Sequence, residues 1–240
     1  MNHTAGDRSD AVRDKLRVWF GTTFVLVLVV GMWNWKQLQS MALSLATGGD
    51  HLVLAATSGR PEDVRAALAD GADPNITGDD GFTPLMWASA SGNVQSMKLL
   101  IDAGAKVYTM SPSGITPLTM AAQRGQVDAV RLLLDSGADP NQQRPHGPSP
   151  LFSAASFGHD RVVGLLLSRG TAVNARCAQD RTALMVAAGQ NATTRDSIAR
   201  LLNAGADPNL RDSDGNSAKD EAASAGRDDL LDMFDAYQGK

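Results

Sequence analysis

A short phrase returns along most of this chain at a step of 33 residues. Thr83-Pro84-Leu85, Thr116-Pro117-Leu118, Ser149-Pro150-Leu151 and Thr182-Ala183-Leu184 keep that step. A closing phrase returns with it, as Gly71-Ala72-Asp73-Pro74-Asn75, Gly104-Ala105-Lys106, Gly137-Ala138-Asp139-Pro140-Asn141, Gly170-Thr171-Ala172 and Gly205-Ala206-Asp207-Pro208-Asn209. A fixed period of this size marks a supersecondary unit that cannot bury its apolar face alone. Such units stack on one another, so the chain is predicted to form a solenoid.

Each unit reads as a turn, a short helix, a tight reversal, a second helix and an outward loop. Thr83 suits the cap of a first helix, and Pro84 its first turn, where a missing N–H costs nothing. The small pair Ala121-Ala122 lets neighbouring helices approach closely. Gly59, Gly92, Gly125 and Gly158 stand where the first helix must end in a left-handed residue. The second helix carries an apolar stripe, Val127, Val130, Leu132, Leu133 and Leu134 in one unit and Val162, Val163, Leu165, Leu166 and Leu167 in the next. Gly104, Gly137, Gly170 and Gly205 then close it.

These residues resemble the ankyrin repeat family from roughly Gly49 to Tyr237. The resemblance implies an all-α solenoid of about six helix-turn-helix units, end caps included. The units are expected at 49–79, 80–112, 113–147, 148–179, 180–213 and 214–237. The first lacks Thr-Pro-Leu and the last is polar where the others are apolar, as suits end caps. The fifth is two residues longer, with the excess in Gly189–Asp196. The family's histidine after Thr-Pro-Leu is replaced by Met86, Thr119, Phe152 and Met185, which implies that apolar packing braces the units in its stead.

Residues 18–35 form the other decisive segment. Phe24–Val30 is free of charge, and Trp19, Phe20, Trp33 and Trp35 flank it. Its length is at the short end for a bilayer span, and aromatic ends suit the interface. A cleavable signal peptide is the rival reading, with Ser44-Leu45-Ala46 as its site, but Lys36 interrupts the stretch before it. The expected organisation is a cytoplasmic tail (1–17), a transmembrane signal anchor (18–35), a juxtamembrane linker or helix broken at Thr47-Gly48-Gly49 (36–48) and the repeats (49–240). Arg8, Arg13, Lys15 and Arg17 precede the segment and only Lys36 follows it closely. The positive-inside rule then places the repeats outside the cytoplasm. A single-pass inner-membrane protein with periplasmic repeats is the preferred localisation; a lumenal one stays open.

Composition narrows the function. Of 22 basic and 26 acidic residues, five and three lie in 1–46, which leaves the repeats 17 and 23 and a net charge of about −6. No basic stripe invites nucleic acid. Cys177, the single cysteine, excludes an internal disulfide and is expected on an outward loop, exposed. The four histidines are scattered, and His159 stands where the family has a structural histidine. Asp79-Asp80 and Asp212–Asp214 read as solvated turns without the ligand count of a calcium loop. No catalytic constellation, cofactor motif or small-molecule site is expected.

The resemblance implies that proteins bind on the palm formed by the first helices and on the outward loops, or fingers. Gln123, Arg124 and Phe157 fall on the palm; Tyr108, Met110, Arg144, His146, Arg176 and Arg211 fall on the fingers. Tyr, Phe, Met and Arg are interface types. Phe157 is read either as a partner contact or as packed under a neighbouring finger, and Trp87 as core. Tyr108 replaces the usual loop asparagine. Two roles fit: a scaffold or accessory subunit of a membrane or periplasmic complex, or an inhibitor that blocks a basic toxin or hydrolase through its acidic surface.

Overall fold

The computed structural model describes residues 48–78, 80–190 and 194–237. The chain divides into two compact units, Met1–Ala46 and Thr47–Lys240, and the described residues belong to the second. The tail, the proposed anchor at 18–35 and nearly all of the linker lie outside the described residues. Among the described residues no helix is long and apolar enough to cross a membrane.

Twelve α-helices among the described residues form six pairs: α1 Gly48–Ser58 and α2 Pro61–Ala69; α3 Pro84–Ser91 and α4 Val94–Asp102; α5 Pro117–Gln123 and α6 Val127–Asp135; α7 Pro150–Ser156 and α8 Asp160–Leu167; α9 Ala183–Ala188 and α10 Arg195–Asn203; α11 Ala218–Ser224 and α12 Asp228–Ala236. First helices pack on neighbouring first helices and second on second, as a stacked array requires. Helix α1 starts inside the glycine pair expected to precede it.

The caps follow from the sequence phrase. The hydroxyls of Thr83, Thr116, Ser149, Thr182 and Ser217 accept the third N–H of their helices. Pro84, Pro117 and Pro150 occupy the first turn, where no carbonyl awaits their nitrogen. The first helices of the other pairs reverse at a glycine such as Gly92 (φ +71°), a conformation that a Cβ-bearing residue adopts only with strain, whereas α9 ends at Gly189 in right-handed conformation (φ −76°).

Ala88, Ala121, Ala122, Ala154, Ala155, Ala187 and Ala188 are buried between first helices, and Leu100, Val130, Leu133, Val163, Leu166 and Leu201 between second helices. Fully burying each such leucine contributes about 1.5–3 kcal/mol. The stripe is narrower than its sequence, since Leu132, Leu134, Leu165 and Leu167 are only half-buried. In the last pair Leu230 and Phe234 are buried while Lys219 and Asp220 face solvent, which is what a cap needs.

Three expectations need correction. Cys177 is fully buried, not exposed. It takes the place that Ser111 and Asp212 take in other units, where the backbone N–H closes a finger turn: Ser111 to Ile115 O (2.8 Å), Cys177 to Arg181 O (2.9 Å), Asp212 to Asn216 O (3.0 Å). Asp212 is likewise not solvated; its buried Oδ1 accepts from the N–H of Asp214 and Asn216. Finally, apolar packing is not the sole brace between units. Met86 and Met185 are buried as expected, but hydrogen bonds cross the junctions at the residue after the reversal glycine. Asn93 Nδ2 donates to Gly59 O, Gln126 Nε2 to Ala90 O (3.3 Å), His159 Nε2 to Gln123 O (3.0 Å) and Arg227 Nη1 to Gln190 O (2.7 Å). His159 is thus structural, as its sequence position implied.

Candidate functional site

A second set of bonds ties the fingers together, and one gap in it is informative. The loop asparagines Asn75, Asn141 and Asn174 each bracket the following unit. Asn75 donates to Gly104 O (3.0 Å) and accepts from Lys106 N (2.8 Å). Asn141 donates to Gly170 O (3.5 Å) and accepts from Ala172 N (2.7 Å). Asn174 donates to Gly205 O (3.0 Å) and accepts from Asp207 N (2.9 Å). The same position in the second finger, between α4 and α5, is Tyr108. A phenol cannot donate and accept in that geometry, and the ring stands 59% exposed. The junction keeps bonds of another kind from the next finger, Gln142 Nε2 to Tyr108 O (2.7 Å) and Arg144 Nη1 to Pro112 O (2.7 Å). A repeated structural residue has been exchanged for an exposed aromatic.

The palm holds a second such feature. Ser91, Arg124 and Phe157 occupy one position at the ends of successive first helices. Phe157 is 53% exposed; its ring stacks on His159, centroids 6.3 Å apart and planes at 17°. No finger covers it among the described residues. Arg124, one unit away, is exposed, and its guanidinium makes no hydrogen bond or ion pair among the described residues. Gln123 is half-buried, and its carbonyl serves His159. An aromatic ring and an uncommitted guanidinium at adjacent repeat positions match the composition of binding hot spots. Trp87 is half-buried, edge-on to Phe82 at 5.6 Å.

The third and fourth fingers, between α6 and α7 and between α8 and α9, depart from the regular turn. Gly81, Gly114 and Gly215 share a turn position with positive φ; Asp180 occupies it in the fourth finger at φ +57°. Its neighbour Gln179 has φ +60°, and in the third finger His146 has φ +56°. Side chains in the left-handed region carry strain, and such strain gathers at binding sites. His146 Nδ1 lies 3.3 Å from Asp180 Oδ1, which joins the two fingers.

The finger arginines are partly committed to structure. Arg144 Nη1 donates to Pro112 O (2.7 Å); Arg176 Nη1 donates to Asp180 O (3.0 Å) and Arg211 O (2.9 Å); Arg211 Nη1 donates to Gly215 O (2.6 Å) and lies 3.6 Å from Asp220. All three remain exposed and order the finger row. Met110 is half-buried beside Tyr108 in sequence. The sequence had no signal for the left-handed residues of the fingers, except that Asp180 breaks a column of glycines.

Cys177 offers no chemistry. Its Sγ lies 3.7 Å from Ser149 Oγ and 3.8 Å from Gln143 Oε1, and burial pushes its thiol pKa up, the Ser149 contacts opposing weakly. A thiol held protonated and covered is a poor nucleophile.

Among known families, the one described as ankyrin repeats (3 copies) matches this chain over residues 52–144 and 137–212. No curated protein matches it.

Proposed function

The chain belongs to the ankyrin repeat family, a family of protein–protein interaction modules that are generally non-catalytic, and from that membership we propose where and how it binds. The binding face is the palm and fingers of the second to fourth units, centred on Phe157, Arg124 and Tyr108 and bordered by Met110, Arg144 and His146. The observation that carries this reading is Tyr108, where two backbone-directed hydrogen bonds are given up for an exposed ring.

The apolar segment 18–35 and the cations before it support a further step. The repeats are held at a membrane on its extracytoplasmic side, as a scaffold or accessory subunit of a membrane or periplasmic protein complex. The net charge of the repeats, about −6, supports a second role as inhibitor of a basic effector.

Photo-crosslinking from positions 157 and 108 of the full-length chain in intact cells tests the site. A common protein product from both positions is expected, and its identity separates scaffold from inhibitor. Products from the exposed outer-face position 98 but from neither of these two would refute the assignment. Topology is read from Ser91→Cys, which an impermeant maleimide should label in cells whose outer barrier alone is permeabilised. Labelling only after the inner membrane is opened would overturn the extracytoplasmic placement.

A further inference from the structure

On the face opposite the palm, helices α6, α8 and α10 enclose an open groove of about 490 Å³. Its opening has an identifiable cause. Arg65, Lys98 and Arg131 hold one position on successive second helices, all exposed. The next residue in that row is Gly164, within α8. Nothing in the fold demands glycine there. It lies in ordinary helical conformation, and an added Cβ would meet only Arg200 Nη1 at 3.7 Å, an ordinary contact. Glycine inside a helix weakens it, and any longer side chain would fill the groove. Two units away in sequence from Leu132, and one from Leu165, the same position carries Arg200, which turns an apolar row cationic.

Three guanidinium groups therefore line one groove: Arg131, Arg161 and Arg200. None makes a hydrogen bond or ion pair among the described residues, whereas nearby Arg169 pairs with Asp135 at 3.0 Å. Uncommitted arginines converging in an acidic array are placed for carboxylates, which they grip two-pronged. Two aspartates share the groove. Asp160 is occupied by the Ser197 hydroxyl (2.5 Å), while Asp196 is exposed and makes no side-chain hydrogen bond or ion pair among the described residues. Asp196 would repel a dense phosphate but can accept an amide N–H of a polypeptide.

We propose that this groove is a second protein-binding site, which takes an extended acidic segment of a partner, its carboxylates on Arg131, Arg161 and Arg200 and its backbone N–H on Asp196. It lies on the other face from the palm site and does not depend on it.

The test uses the full-length chain in neutral detergent and a fluorescent peptide of alternating Asp and Glu, with an Asn/Gln peptide as control. Saturable binding of the acidic peptide alone is expected, weakening as salt rises. Gly164→Met fills the groove with a good helix former, so binding should fall at least tenfold while the melting temperature holds or rises. Arg200→Gln should weaken binding severalfold, and Phe157→Ser should leave it unchanged. Three results would each overturn the proposal: no binding by the wild type, equal binding by Gly164→Met, or displacement of the peptide by inorganic phosphate at concentrations where equal ionic strength of chloride has no effect.

Discussion

At the scale of the residue, Tyr108 is the plainest exchange of stability for exposure. Restoring asparagine there should rebuild the bracket that Asn75, Asn141 and Asn174 make elsewhere. Two exposed neutral hydrogen bonds contribute about 1 kcal/mol net. Tyr108→Asn should therefore raise the unfolding midpoint in urea while weakening capture of the partner at the palm and fingers. A variant that is neither more stable nor weaker in binding would remove the reason for singling out this residue. Cys177 makes the converse point. It should resist thiol reagents in the native state and react at the rate of unfolding, which mass-resolved labelling across a urea series would measure. Prompt native labelling would contradict its burial. Both residues sit in loops, and only one was legible. The aromatic stood out because it broke a column of asparagines. The burial of the cysteine follows from a turn closed by backbone bonds, and composition gives no hint of that. Only alignment with Ser111 and Asp212, both buried in the same turn, could have raised it.

At the scale of the element, the repeat phrase encodes nearly everything. Hydroxyl, proline and glycine mark the starts and most of the reversals of the first helices, so the existence of the elements could be read directly. The bonds between units could not, because they depend on side chains of differing type that do one job. Asparagine, glutamine, histidine and arginine all reach back to a carbonyl of the preceding unit, and no residue pattern announces this. The last unit shows how a cap is tuned by charge. Asp220 accepts from the Ser217 hydroxyl and N–H at the start of α11, and those bonds, helped by Arg211 and Lys219, hold its pKa below the ordinary carboxylate value. A group whose folded pKa is lowered stabilises the fold above the unfolded pKa of about 3.9 and loses that effect as acid protonates it. The melting-temperature gap between wild type and Asp220→Ala should thus be constant near neutrality and close as pH falls below about 4. A gap that persists in acid would mean that helix propensity, not the capping carboxylate, is responsible.

At the scale of the whole molecule, stability is a sum over units and junctions. A defect in the middle should divide the array. Leu133→Ala empties a fully buried site in the third unit and should cost roughly 2–5 kcal/mol. The consequence to look for is loss of a single transition. Hydrogen exchange should show the units on either side opening separately in the variant and together in the wild type. A variant that still unfolds in one step would mean that the junctions are strong enough to carry a defect. The proposed site too belongs to this scale, since it would join palm and finger residues from separate units only because the step between them is constant. Yet one property of the stack is not symmetric. At the junctions Gly59–Asn93, Ala90–Gln126, Gln123–His159 and Gln190–Arg227 the donor always belongs to the later unit. A chain leaving the ribosome can close each of these latches as soon as the second helix of the new unit begins. The waiting carbonyls already stand on the preceding unit, so the array can assemble in chain order during synthesis, each new unit latching onto the one before it.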